Sequence, residues 1–301
     1  MKKSYHSNGK LLLTGEYFVL DGAEALAVPC KLGQSLTVEP SEIPGIAWES
    51  YDNKQNLWFQ HHFTVEEIQH LPEEHPKTIQ GRLHKILHFS FLNRPLFFEN
   101  IKVVCKTHLQ FPRDWGLGSS STLIQNIAEW TGGDAYQLLE SSFGGSGYDL
   151  AAAKSKTALI YSKFSTSRAV SVPLDWDFKD QIFFVHRNQK QDSKEGIARY
   201  RTKSKDEKAV NDITNLTQKI LLATTLQEWS AYIEEHEKIV GKYLSLPTIK
   251  SELFKDYPYS LKSLGAWGGD FFMAIGGEEE KVYFREKGYT TILSFEEMVL
   301  P

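Results

Sequence analysis

The sequence predicts an α+β protein of two domains, and three observations lead to that expectation. The 301 residues are more than a single hydrophobic core comfortably supports. The first half is dominated by strand-length runs of β-branched and aromatic residues, whereas the second half carries longer helical periodicities. The change falls near residue 175, which predicts domains over 1–175 and 176–301.

Taken in order, Lys10–Leu13, Tyr17–Leu20 and Leu26–Val38 read as strands, the last interrupted near Gly33. Ile46–Phe63 reads as a hairpin around the turn residues Tyr51, Asp52, Asn53 and Lys54. In Thr78–Leu92 the apolar Ile79, Leu83, Ile86, Leu87 and Phe91 recur at helical intervals, and Phe97–Thr107 returns to strand composition. Ser119–Trp130 predicts a helix opened by a glycine-containing loop, because serine at a helix start can satisfy unpaired N–H groups. Ala135–Ser141 is a short helix, Phe143–Gly147 a tight loop, and Tyr148–Lys154 a helical turn ahead of the strand Thr157–Tyr161. Past the boundary come the strand Gln181–His186, a helix from Asp192 to about Tyr200, and helices over Asp206–Ala223 and Leu226–Tyr243. The strands Ser260–Leu264 and Asp270–Ile275 then flank the glycine run Gly265–Gly269.

Composition narrows the function. Basic residues number 34 and acidic residues 38, a formal charge of −4. Such a balance creates no field that gathers a phosphodiester backbone, so nucleic acid is not the expected partner. The basic start Met1–Asn8 leads into an apolar run that Thr14, Gly15 and Glu16 break at once, too short for a signal peptide or a membrane span. Cys30 and Cys105 lack metal spacing and read as small buried apolar residues of a reducing cytoplasm. Neither a membrane partner nor a particular oligomeric state follows from the sequence.

The glycines carry more information. Of 21, eleven fall in four clusters: Gly9, Gly15 and Gly22; Gly116 and Gly118; Gly144, Gly145 and Gly147; Gly265, Gly268 and Gly269. Clustered glycines beside helix starts suggest oriented N–H groups around an anion, although each cluster alone reads equally as a tight turn. No G-x-x-x-x-G-K-[ST] and no G-x-G-x-x-G after a strand is present, which disfavours a P-loop or a Rossmann enzyme. The segment Pro112–Ser121 offers another loop. A helix starting at Ser119 would point N–H groups and partial positive charge at a polyphosphate, and a serine hydroxyl could ligate Mg²⁺. Simple capping would explain one serine, not three with two glycines.

Three segments, in order, resemble the signatures of the GHMP kinases (galactokinase, homoserine kinase, mevalonate kinase, phosphomevalonate kinase). Asn8–Tyr17, followed by Asp21-Gly22 and Ala25–Pro29, is similar to the amino-terminal motif. Gly116, Leu117, Gly118, Ser119, Ser120 and Ser121 match the phosphate loop, and Ser263–Asp270 is similar to the carboxy-terminal "SGAGGGD" loop. Gly145–Ala152 looks most like the phosphomevalonate kinase stretch "GSGxDxAA", which favours the mevalonate and phosphomevalonate branch.

The resemblance implies a ribosomal-protein-S5-like amino-terminal domain and a ferredoxin-like carboxy-terminal domain. It further implies transfer of the ATP γ-phosphoryl group to an oxygen of a small molecule, with Mg²⁺ accompanying ATP. Asp149 would accept the acceptor proton, or orient an acceptor that is already a phosphate, and Lys10 would stabilise the transferring group. The nucleotide would be held by residues 116–121 and by Gly265, Ala266, Gly268 and Gly269. Ser120 is the implied Mg²⁺ ligand, with Ser119 one register away, and Glu140 is the acidic candidate, equally readable as a helix-surface residue. Taken alone, Lys10 reads as a solvated strand residue and Asp149 as a helix cap. For the acceptor, the loop His186–Lys194 with its three cations and Arg113 beside the phosphate loop are candidates. Trp267 and Tyr17 depart from the usual glycine and histidine. They leave open a second expectation, a catalytically inactive relative that binds nucleotide or metabolite as a regulator.

Overall fold

The computed structural model describes residues 1–71, 78–189, 193–265, 267 and 270–301, with nothing described for the side chains of Ser193 and Lys194. The chain divides into two compact units: residues 1–9, 32–113 and 118–154 form the first, and 10–31, 114–117 and 155–301 the second.

In the first unit, β1 (Lys3–Leu12) and β2 (Ala25–Pro40) enter from their shared chain ends, and β3 (Gly45–Tyr51), β4 (Leu57–Phe63) and β5 (Lys102–Leu109) complete a sheet ordered β4-β3-β5-β2 with β1 on β2. The β3–β4 hairpin is antiparallel and β3 runs parallel to β5. Helices α1 (Val65–Gln69), α2 (Ile79–Asn93), α3 (Pro95–Phe98), α4 (Ser119–Thr131), α5 (Ala135–Ser142) and α6 (Tyr148–Lys154) follow. They contribute Leu83, Ile86, Leu87, Ile124, Ile127, Leu138 and Leu150 to a core closed by Leu36, Trp48 and Phe63 from the strands.

In the second unit the start of β2 pairs with β6 (Leu159–Tyr161), which pairs with β7 (Ala169–Ser171). A separate antiparallel sheet is ordered β11-β8-β10-β9, from β8 (Ile182–His186), β9 (Leu261–Ser263), β10 (Phe271–Ile275) and β11 (Ile292–Ser294). Both β8 and β10 are buried along their whole length, which explains their unbroken apolar sequences. Around them lie α7 (Ser193–Arg201), α8 (Glu207–Leu222), α9 (Leu226–Leu244), α10 (Ile249–Leu253), α11 (Glu278–Glu286) and α12 (Phe295–Met298). Among the described residues, no helix is long and apolar enough to cross a membrane.

Four local expectations are corrected. Tyr17–Leu20 is not a strand: Phe18–Asp21 is a single 3₁₀ turn, closed by Gly22 in the left-handed region at φ 99°. β2 continues through Gly33 without interruption, since that glycine is extended and lets the strand approach β1: a side chain there would collide with the Ser7 carbonyl and the His6 ring. Phe97 and Phe98 end a helical turn opened by Pro95 at its first position, so the following strand starts at Lys102 rather than Phe97. The carboxy-terminal helix α11 and strand β11 fall in a stretch for which no element was predicted.

Helix starts differ in a way that matters for function. At α2, α8 and α9 the side chains of Thr78, Asp206 and Thr225 accept the N–H of Gly81, Ala209 and Glu228 at 3.1, 3.0 and 3.2 Å. At α5, Asp134 accepts from Tyr136 and Gln137. The thirteen-residue α4 starts behind Gly118 at φ 88°, and among the described residues no side chain caps it.

Candidate functional site

The residues singled out in the sequence fall into two groups. In the second unit, β1 delivers Lys10 to the glycine loop. Its backbone N–H donates to the Leu117 carbonyl at 3.0 Å, and its ammonium donates to the Gly116 carbonyl at 3.2 Å. Gly116 itself sits at φ 65°, and the position a Cβ would take is filled by the Asp270 carboxylate, whose Oδ1 lies 2.6 Å from it. The same carboxylate approaches Gly265, at φ 64°, with Oδ2 3.4 Å from where a Cβ would be. Trp115 packs edge-on against Phe271 at 5.4 Å, and the Asp114 carbonyl lies 3.3 Å from His186 Nε2. Lys10, Gly116, Leu117 and Gly265 are thus brought together within this unit. Ala266, Gly268 and Gly269 lie outside the described residues.

In the first unit, Ser119, Ser120 and Ser121 occupy the first turn of α4. Among the described residues no side chain caps that turn, so the positive end of the helix dipole is left without a side-chain partner; Ser120 is exposed beside it, Ser119 half-buried and Ser121 buried. Thr122 braces the turn by donating to Gln34 Oε1 at 2.6 Å. Asp149 stands half-buried in the first turn of α6, which packs against α4, with Leu150 anchored in the core. Gly144 and Gly145 both have open space where a Cβ would sit, and the Gly144 N–H donates to the Leu139 carbonyl at 2.8 Å at the end of α5.

Glu140 is exposed on α5, and among the described residues no group of three or more His, Cys, Asp or Glu side chains could hold a metal ion. Mg²⁺ commonly takes only one or two protein oxygens and the rest from phosphates and water, so a serine hydroxyl at the α4 turn fits it without such a group.

No protein-family model and no curated protein sequence matches the chain. Solved structures do. The Methanococcus jannaschii mevalonate kinase superposes with a TM-score of 0.71 at 14% identity, covering 97% of each chain. The Streptococcus pneumoniae phosphomevalonate kinase, in complex with phosphomevalonate and AMPPNP, gives 0.71 at 14% identity over 97% of this chain and 99% of its own. The Lactococcus lactis galactokinase complexed with galactose gives 0.71 at 13% identity over 99% and 93%. The chain has the GHMP kinase fold.

Within that GHMP kinase fold, Trp267 has a structural task. Its backbone sits at φ 52°, where a glycine would be unstrained, and its indole is buried with Tyr17, Tyr200, Val240 and Leu244, against Gly241 of α9. It belongs to a core rather than to an open ligand surface. Trp267→Gly is expected to destabilise the protein by about 2–4 kcal/mol, the usual cost of deleting a large buried aromatic less the relief of left-handed strain. A urea titration measures it, and an unchanged midpoint would show that the indole supports nothing.

Three features of the chain were not predicted. Each residue of Thr14-Gly15-Glu16 is tied to a different element: Thr14 hydroxyl to Thr217 hydroxyl of α8 at 2.8 Å, Gly15 N–H to His236 Nε2 of α9 at 2.9 Å, and Glu16 to the Lys262 ammonium of β9. Glu237 accepts from the Ser263 hydroxyl at 2.8 Å and from the Ser263 N–H at 3.1 Å. All of Glu16, His236, Glu237 and Lys262 are buried. Burial raises the Glu16 carboxyl against the pull of Lys262 and raises Glu237 to about 7. It drives His236 well below its ordinary range, which agrees with Nε2 accepting from Gly15 and makes its approach to Glu16 a contact rather than an ion pair. The second feature is the Arg113 guanidinium, stacked 3.7 Å from the Trp58 ring centroid. The third is Asp270. A lysine between Leu261 and Leu264 in a short strand was the one visible signal of the buried cluster.

Proposed function

We propose that this chain is an ATP-dependent small-molecule kinase that transfers the γ-phosphoryl group to an oxygen of a small metabolite. Phosphomevalonate or mevalonate is the preferred acceptor. The observation that carries the reading is the start of α4: three serines behind a left-handed glycine, uncapped, on a helix whose counterparts α2, α5, α8 and α9 are capped by side chains. Such an end is suited to a polyphosphate. The fold supports it, since the structures it resembles include kinases of mevalonate, phosphomevalonate and galactose.

In this reading residues 116–121 and the 265–269 loop hold the nucleotide. The acceptor oxygen attacks the γ-phosphorus in line as the bond to the β–γ bridging oxygen breaks and ADP leaves. A hydroxyl acceptor passes its proton to the Asp149 carboxylate, and Lys10 offsets charge on the transferring oxygens. Mg²⁺, held through Ser120 and with Glu140 as a further oxygen, would neutralise phosphate charge. The Arg187–Gln189 segment and Arg113 offer cations and amides to an anionic acceptor. Location in the cytoplasm belongs to the same proposal.

The test is ADP release over a panel of mevalonate, phosphomevalonate, homoserine and sugars, with Asp149→Asn as control. Turnover that needs one acceptor and is lost in the variant supports the kinase. Nucleotide binding without turnover on any of them would instead favour a regulatory protein.

A further inference from the structure

Asp270 combines several observations that its position at the end of a glycine run does not explain. It is 8% exposed and holds a left-handed backbone, φ 57°, which costs a non-glycine residue free energy unless surroundings require it. Its backbone carbonyl accepts from Arg187 N–H at 2.7 Å and its N–H donates to the Gln189 carbonyl at 2.9 Å, continuing the β8–β10 pairing into the loop after β8. Its carboxylate fills the space that two glycines leave, against Gly116 and beside Gly265. Gly116 is the residue whose carbonyl takes the Lys10 ammonium. One glycine is therefore gripped by a cation through its carbonyl and bounded by an anion at its Cα, and Trp115 next to it is pinned by Phe271, the neighbour of Asp270.

We propose that Asp270 is a positioning residue: its side chain, seated against Gly116 and Gly265, holds residues 114–117 in the conformation that nucleotide binding uses. This deepens the kinase reading and rests on it for the ligand. The contact itself does not depend on the reaction. The role is one of shape, so asparagine, of the same outline, preserves it, and alanine removes it. The contact also explains why Gly116 tolerates no side chain beyond its φ, since an added methyl group would displace the carboxylate.

The experiment compares wild type, Asp270→Asn, Asp270→Ala and Gly116→Ala. Backbone amide deuterium exchange over residues 113–118 is read in the nucleotide-free protein, and the dissociation constant of a fluorescent ATP analogue is read separately. Asp270→Ala is expected to speed exchange in that segment by at least about tenfold and to weaken the analogue about 10- to 100-fold, the size of coupling between contacting residues. Asp270→Asn is expected to stay within about threefold of wild type in both. If turnover is found, the apparent KM for ATP rises while kcat at saturating ATP falls by less than about threefold. Unchanged exchange in Asp270→Ala, or loss in Asp270→Asn equal to that in alanine, overturns the proposal. Should Asp270→Ala not fold, the asparagine variant and Gly116→Ala still decide it by the same two readings. Wild type that fails to bind the analogue would refute the kinase reading alone, leaving the exchange result to judge the positioning role.

Discussion

Lys262→Met is expected to destabilise the protein by about 3–5 kcal/mol at pH 8, the range for removing one partner of a buried pair. Lys262 is completely buried and its ammonium meets Glu16, while its charge also holds down the Glu237 carboxyl. Deleting it leaves two buried carboxyls without a cation. The loss shrinks as pH falls, because each then takes up a proton in the folded state. Glu16→Gln with Lys262→Met, which removes both charges, is expected to recover most of the stability. Denaturant titrations of wild type and the two variants at pH 8 and pH 5.5 measure this. A single variant as stable as wild type at pH 8 would mean that the ion pair contributes nothing.

The same cluster sets the wild-type pH dependence. Glu237 moves from 4.5 to about 7 in the folded state, so its contribution is complete below 4.5 and is lost as pH rises through 7. Glu16, raised as well, acts in the same direction. His236 is depressed from 6.5, so its contribution is present above 6.5 and is lost as pH falls. Between pH 4.5 and 6.5 Glu237 and His236 oppose each other, and above 6.5 the carboxyls alone act. Stability is expected to decline from pH 6.5 towards 7 in wild type, as folded Glu237 gives up its proton, by no more than about 1.4 kcal/mol per pH unit for each fully shifted proton. In Glu237→Gln that decline should weaken, and a loss on acidification below 6.5, from His236, should emerge. A Glu237→Gln curve parallel to wild type would exclude Glu237 as the source.

The parts of the fold that were legible are those in which local sequence and tertiary role agree. Helices α8 and α9 follow their apolar periodicity to within a residue or two at each end, because one face packs and the other is solvated. The α4 start was readable because glycines followed by serines have a local meaning. Tyr17–Leu20 misled because its aromatic and β-branched composition suits a strand, yet Gly22 closes a turn and Tyr17 adopts φ 62°. Phe97 and Phe98 misled for the same reason, since burial of Phe98 against Trp130 is served equally well by a helical turn. Beyond Lys262 in its buried strand, nothing in the sequence marked the buried cluster. Glu16, His236 and Lys262 are separated by hundreds of residues or by whole elements, and no short-range pattern marks a carboxylate whose partner comes from a distant strand. Asp270 was quoted only as the end of a motif, because its role depends on the empty Cβ position of Gly116, a property of packing rather than of spacing.

Asp149→Asn is expected to lower turnover on a hydroxyl acceptor by about 10²–10⁴-fold, the range for a positioned general base. Asparagine keeps the outline of the side chain at the first turn of α6, so stability should change by less than about 1 kcal/mol, the worth of a carboxylate at a helix start. The KM for ATP should move by no more than about threefold, as expected when an interaction made only in the transition state is lost. The size of the loss also separates the two preferred acceptors. A phosphate monoester sheds its second proton near pH 6, so at pH 8 phosphomevalonate would present an oxygen with no proton to remove. Asp149 would then only orient it, and the loss should fall to about tenfold. A hydroxyl such as that of mevalonate must give up its proton as the new bond forms, and it suffers the full loss. Measuring kcat for wild type and Asp149→Asn with both acceptors at pH 8 therefore tests the role and the substrate together. A variant that keeps most of its turnover on a hydroxyl acceptor would remove Asp149 from the chemistry, whatever the fold around it.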